Sequence, residues 1–136
     1  MAEFEFIQAD PDGGFELRFR GRKALAHDAR HPFLKAGWGK GRYEMRRGNF
    51  KITEELETLD ALDEYAVLSQ SGSSLSLRFS RGADLAVDAT FDIEGGRLVG
   101  RFAAAAGEPN RFLISLPATP SEHVYGCGEQ FSYLDL

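Results

Sequence analysis

The run Ser74-Leu75-Ser76-Leu77-Arg78-Phe79 and, beyond Arg81-Gly82-Ala83-Asp84, the run Leu85-Ala86-Val87-Asp88-Ala89-Thr90-Phe91-Asp92-Ile93 decide the fold. Leu75, Leu77 and Phe79 alternate with Ser74, Ser76 and Arg78. Leu85, Val87, Ala89, Phe91 and Ile93 alternate in the same way with Asp84, Asp88, Thr90 and Asp92. Successive side chains of an extended backbone point to opposite faces, so this period of two predicts strands with one apolar and one wet face. The breaks are short and carry glycine: Ser71-Gly72-Ser73, Arg81-Gly82-Ala83-Asp84 and Glu94-Gly95-Gly96. Connections of that length pair consecutive strands as antiparallel neighbours.

The pattern extends outward in both directions. Phe4 and Phe6 alternate with glutamates, Asp10-Pro11-Asp12-Gly13-Gly14 supplies a turn, and Phe15, Leu17 and Phe19 then oppose Glu16, Arg18 and Arg20. Towards the other end Phe112, Ile114 and Leu116 predict a last strand, stopped by Pro117 and Pro120. Thr53 to Tyr65 is the ambiguous stretch. Leu56, Leu59, Leu62 and Ala66 stand three and four apart among Glu54, Glu55 and Glu57, which favours a helix. Thr53 lacks the glutamate three residues on that a capping box needs, and its flanks are β-like, so strand is the reading adopted. Eight or so short strands with no repeats or linkers predict an all-β protein, a β-sandwich, with residues 1–136 as one domain.

Composition narrows the function classes. The 136 residues carry 16 lysines and arginines against 21 aspartates and glutamates, a net charge of −5, so no nucleic acid or anionic membrane is expected as partner. Apolar runs such as Ala103 to Ala106 fall far short of the ~20 residues that span a bilayer. The start Met-Ala-Glu-Phe-Glu-Phe has neither the basic nor the apolar region of a secretory signal, so the expected location is the cytoplasm. Cys127 is the single cysteine, which rules out an intrachain disulfide, and a small buried apolar role is expected for it. His27, His31 and His123 are widely separated, so no metal and no cofactor is expected, and each histidine is assigned a structural or surface role.

Two polar strings stand out as sites. Between Arg42 and Asn49, Arg42, Tyr43, Arg46, Arg47 and Asn49 crowd cationic and hydrogen-bonding groups between glycines. Such a segment is either a solvated positive loop or an arm lining a polyhydroxylated ligand site, where guanidinium forks and aromatic faces are useful. Gly37-Trp38-Gly39-Lys40-Gly41-Arg42 lacks the Gly-Lys-Ser/Thr ending of a phosphate loop. The second string is Tyr125-Gly126-Cys127-Gly128-Glu129-Gln130-Phe131-Ser132-Tyr133, where Gly126 to Glu129 is either a junction turn capping backbone amides or part of a site.

That string resembles the motif that closes the N-terminal domain of glycoside hydrolase family 31. Arg47-Gly48-Asn49-Phe50-Lys51-Ile52, Phe79-Ser80-Arg81-Gly82-Ala83-Asp84 and Asn110-Arg111 are also similar to stretches of that family's bacterial sulfoquinovosidases, so the resemblance spans nearly the whole chain. It implies a β-sandwich of the galactose-mutarotase-like type, standing before a catalytic (β/α)₈ barrel that this chain does not contain. It implies, too, a retaining two-carboxylate mechanism whose aspartates lie beyond residue 136. The expected role is therefore that of a non-catalytic N-terminal accessory domain of a retaining α-glycosidase. Its partners would be its own barrel and, at the domain junction, the carbohydrate substrate. Arg46, Arg47, Glu129 and Gln130 are the expected substrate-proximal residues, with no catalytic residue in the chain. Phe131 and Tyr133 would pack on the barrel, so self-association of the isolated domain through this tail is expected. The rival readings are a stand-alone sugar-binding or scaffold module stacking sugars on Trp38, Tyr43 and Tyr133, and a small hydrolase using carboxylates between Asp10 and Glu64.

Overall fold

The computed structural model describes residues 3–9, 13–117 and 121. Ten strands, all antiparallel to their neighbours, and no helix lie among them. β1 (Phe4–Ala9), β2 (Gly14–Phe19) and β3 (Arg22–His27) form one sheet. β4 (Leu34–Arg46) and β5 (Asn49–Ala61) form a second sheet with β10 (Arg111–Ile114), in the order β10-β4-β5. β6 (Glu64–Gln70), β7 (Ser74–Arg81), β8 (Leu85–Glu94) and β9 (Arg97–Ala106) form the third in sequence order, as the short glycine turns require. The fold is the all-β sandwich expected.

Faces follow the alternation. Leu75, Leu77 and Phe79 of β7 are fully buried, as are Val87 and Ala89 of β8, while Arg78 reaches across the wet face to Asp88 with two of its guanidinium nitrogens. The inner faces of the first and third sheets meet where the Phe15 ring lies 6.0 Å from Phe79 and 4.8 Å, edge-on, from Tyr65. Leu34 and Ala36, at the start of β4, enter the same core. Burial of these side chains, at roughly 1.5–3 kcal/mol for each large one, opposes the entropy of ordering the chain.

His27 sits in that core at 2% exposure. Its ring stacks on Phe15 at 5.5 Å and meets the edges of Tyr65 and Phe79. Its Nδ1 accepts the Phe33 N–H (3.1 Å), which leaves Nε2 to carry the proton and donate to the Asp63 carbonyl (3.1 Å). One neutral imidazole thus ties the end of β3 to the approach of β4 and to the corner between β5 and β6. Burial, the largest cause, holds its pKa below the usual 6.5, against the opposing effect of the Asp63 carbonyl and the Asp28 and Asp63 charges.

Two expectations are refined in detail, and the strand reading of Thr53 to Tyr65 is met. Arg42 to Asn49 is not a loop: it is the end of a long hairpin, with a two-residue turn at Arg47-Gly48. The last strand stops at Ile114: Phe112 and Ile114 lie opposite Ala36 and Leu34, on the core side of the sheet, yet stay 40% and 42% exposed, and Leu116 beyond the strand is 61% exposed. Thr53 to Tyr65 is strand on both sides of a corner at Leu62, which is fully buried and donates its N–H to the Leu34 carbonyl (3.0 Å).

Candidate functional site

Beyond the sandwich body, β4 and β5 continue as a two-stranded arm. Every residue from Lys40 to Ile52 is exposed. The register pairs Tyr43 with Ile52, Met45 with Phe50 and Arg46 with Asn49. Arg47 (φ 48°) and Gly48 (φ 80°) both adopt the left-handed backbone that a two-residue hairpin turn needs, glycine at no steric cost and arginine against its preference.

Cross-strand partners share a face. Tyr43, Met45, Phe50 and Ile52 therefore make one side of the arm, with the Tyr43 and Phe50 rings 5.8 Å apart. Arg42, Glu44, Arg46, Lys51 and Thr53 occupy the other side. Two of these cations are matched where the arm joins the body: Lys40 pairs with Glu57 (3.3 Å) and Arg42 with Glu55 (2.9 Å). Arg46, Arg47 and Lys51 have no ion-pair partner among the described residues.

The arm's root is clamped by the segment preceding β10. The Asn110 side chain accepts the Gly39 N–H (2.9 Å) and donates to the Gly39 carbonyl (3.1 Å), imitating a strand residue. The Trp38 indole N–H donates to the Glu108 carbonyl (3.2 Å), and Arg111 pairs with Glu54 above Gly39. Gly37 has to be glycine, because a Cβ there would run into the Thr58 carbonyl oxygen.

Of the expected site residues, Arg46 and Arg47 stand together at the arm's tip, exposed and at the end of a paired ribbon. Glu129 and Gln130 lie outside the described residues, as do Cys127, His123, Phe131 and Tyr133. Trp38 and Tyr43, offered as a common stacking platform, are an odd number of residues apart on β4 and face opposite ways. Trp38 packs against the core, and only Tyr43, at 67% exposure, is open to solvent. The apolar face of the arm was not anticipated, although the Tyr43/Met45 and Phe50/Ile52 alternation on either side of Arg-Gly signals it.

Several carboxylates engage cations on wet faces. Glu16 lies between Arg18 (2.6 Å) and Lys23 (3.3 Å), and Glu94 meets Arg101 (2.9 Å). The Arg18 hydrogen bond holds Glu16 below the ordinary carboxylate pKa, and the Arg111 hydrogen bond does the same for Glu54. Asp28 is lowered as well, chiefly by accepting the backbone N–H of His31 (2.7 Å). A glycosidase acid needs the opposite shift. Among the described residues no group of three or more His, Cys, Asp or Glu is arranged to hold a metal, and no helix is long and apolar enough to cross a membrane.

Fold and site together define a β-sandwich that presents a projecting two-stranded arm. Comparison with known proteins gives the kin. The chain is 39% identical over 139 residues to a sulfoquinovosidase of Escherichia coli (strain K12), an alignment covering all of this chain and 20% of that protein. It is 34% identical over 123 residues to a sulfoquinovosidase of Agrobacterium fabrum (strain C58 / ATCC 33970), covering 90% of the chain and 18% of the relative. The fold also superposes on a family 31 sulfoquinovosidase from E. rectale, solved with an aza-sugar inhibitor, at a TM-score of 0.69 and 26% identity, over 96% of this chain and 19% of that one. No family model matches. The chain is thus similar to sulfoquinovosidases, one of them of glycoside hydrolase family 31, and it spans about one fifth of their length.

Proposed function

We propose that this chain is the N-terminal accessory domain of a retaining α-glycosidase acting on sulfoquinovosides. It packs on the catalytic barrel and lends the tip of the β4–β5 arm, with Arg46 and Arg47, to the mouth of the active site. The observation that carries this reading is the full-length alignment with one fifth of a sulfoquinovosidase, in a domain whose described carboxylates with a shifted pKa are all lowered. Retaining hydrolysis needs two carboxyl groups ~5–5.5 Å apart with the acid raised, so the chemistry belongs to the remainder of the protein. The unmatched cations at the tip give the domain something to contribute, because guanidinium groups orient anionic and hydroxylated ligands. A stand-alone sugar-binding module finds less support, since Trp38 and Tyr43 do not share a face.

The test is kinetic. The 136-residue chain should leave an aryl α-sulfoquinovoside uncleaved, and the gene product containing it should hydrolyse it. In that longer protein Arg46→Ala should lower kcat/KM by about tenfold or more with Tm unchanged. Intact kinetics with a lowered Tm would assign Arg46 to structure.

A further inference from the structure

We propose that the outer face of the β10-β4-β5 sheet, a strip made by Met45, Tyr43, Phe50, Ile52, Leu56 and Leu113, is the surface on which the rest of the longer parent chain docks. The inference rests on reading this chain as part of a longer family 31 enzyme, and it goes further by naming the face and its contacts. The register sets all six residues on one side: Tyr43 opposes Ile52, Met45 opposes Phe50, Leu56 opposes Gly39, and Leu113 opposes Lys35, which lies on the same face of β4 as Tyr43. The opposite side of the same sheet supplies Leu34 and Ala36 to the core. Both sides of this sheet thus carry apolar side chains, the outer one with Lys35 and the Arg111–Glu54 pair among them.

The strip is open in this chain. Met45 is 75% exposed, Tyr43 67%, Phe50 61%, Ile52 60%, and Leu56 and Leu113 each 50%. These side chains expose on the order of 600–700 Å², close to the roughly 800 Å² that each partner gives to a stable interface. Tyr43, Met45, Phe50 and Ile52 form its unbroken part, beyond which the Arg111–Glu54 pair lies between them and Leu113, and exposed apolar surface rimmed by polar groups marks a docking site.

Three observations point to the remainder of the chain as the occupant. About four fifths of each relative's length lies outside the matched part. The polypeptide leaves the described body on this same sheet, where β10 ends at Ile114 and the Ser115 N–H bonds the Phe33 carbonyl (2.9 Å). The described chain runs on to Pro117, which lines a cavity with Lys35, the strand partner of Leu113, and a covalently attached partner acts at an effective concentration of about millimolar. A second copy stacked face to face would instead bury two Arg111–Glu54 pairs against each other, at a desolvation cost that ion pairs rarely recover.

Met45 reports on the strip directly, because the sequence has one other methionine, Met1, and a peptide map separates the two. Peroxide oxidation of Met45, followed by mass spectrometry, should proceed in the 136-residue chain at close to the rate in urea. In the gene product that contains the chain it should be about tenfold slower or more, at every protein concentration. Equal rates in the two proteins would overturn the proposal, as would a gene that ends at Leu136. Protection that fades on dilution would assign the strip to a second copy and overturn it too. Phe50→Ala gives an independent reading: Tm should fall in the long protein and stay unchanged in the short chain, and no change in either would count against docking. Activity is scored separately on the same long protein. Hydrolysis with Met45 freely oxidised would sink the docking surface alone, and a protected Met45 in a protein inactive on sulfoquinovosides would sink the functional reading alone.

Discussion

Strand β7 and the β4–β5 arm carry the same alternation and meet opposite fates. In β7, Leu75, Leu77 and Phe79 are each 0% exposed, because Phe15, Phe33 and their neighbours lie over them. In the arm, Tyr43, Met45, Phe50 and Ile52 repeat the period of two, and all are at least 60% exposed. Alternation specifies extended backbone and which residues share a face. It carries no information on whether another layer arrives to cover that face, since the covering residues are distant in sequence or outside the chain altogether.

Removing one ring from each region breaks the comparison most visibly. Phe79→Ala should cost about 3–5 kcal/mol, by lost transfer energy plus an unfilled cavity, which is enough to unfold much of a marginal domain. Phe50→Ala in the same 136-residue chain should stay within about 0.5 kcal/mol. Urea midpoints measure both, and similar costs would show the arm to be packed in solution.

The second test separates the regions by pH. His27 lies wholly within the body, and its folded pKa lies below the ordinary 6.5, so between those two values the unfolded chain binds the extra proton. Stability is complete above pH ~6.5 and is lost progressively as pH falls towards the folded pKa. Protonating Nδ1 would also expel the Phe33 N–H. The urea midpoint should therefore drop between pH 7 and 5.5 in the wild type and drop less in His27→Gln. A pH-independent midpoint would contradict the neutral, doubly bonded ring.

The smallest effect is expected at the arm's tip. Arg47 holds φ near 48°, which costs a side chain with a Cβ ~1–2 kcal/mol but suits asparagine. Arg47→Asn should raise the stability of the isolated chain by up to ~1 kcal/mol, measured as a higher Tm, and a lower Tm would mean that the guanidinium has a structural partner.

The body was legible in sequence because clean alternation and short glycine turns coincide from Ser71 to Gly96, and the structure pairs those strands in order. The arm was half legible. Phe50 and Ile52 are strand-like, but Gly37, Gly39 and Gly41 erase the apolar signal along β4 and made Arg42 to Asn49 read as a loop. The helical spacing of Leu56 and Leu59 has a specific cause. The register of β5 skips Glu57, so Leu56 opposes Gly39 while Leu59 opposes Gly37. That bulge turns a strand's spacing of two into three and imitates a helix. At the candidate site, the composition of the Arg46-Arg47 tip was visible, whereas its place on a hairpin and its apolar reverse face emerge only once the register is known. Glu129 and Gln130 lie outside the described residues.

The contact between Trp38 and Glu108 gives the chain an optical gauge. Trp38 is the only tryptophan, and it sits where the covered body becomes the bare arm, its indole N–H bonded to the Glu108 carbonyl. Emission excited at the indole band therefore arises from the arm's root alone, while the His27 core is ringed by phenylalanines and Tyr65. A red shift that precedes the loss of far-ultraviolet ellipticity in urea would time the release of the Glu108–Arg111 clamp as an event of its own.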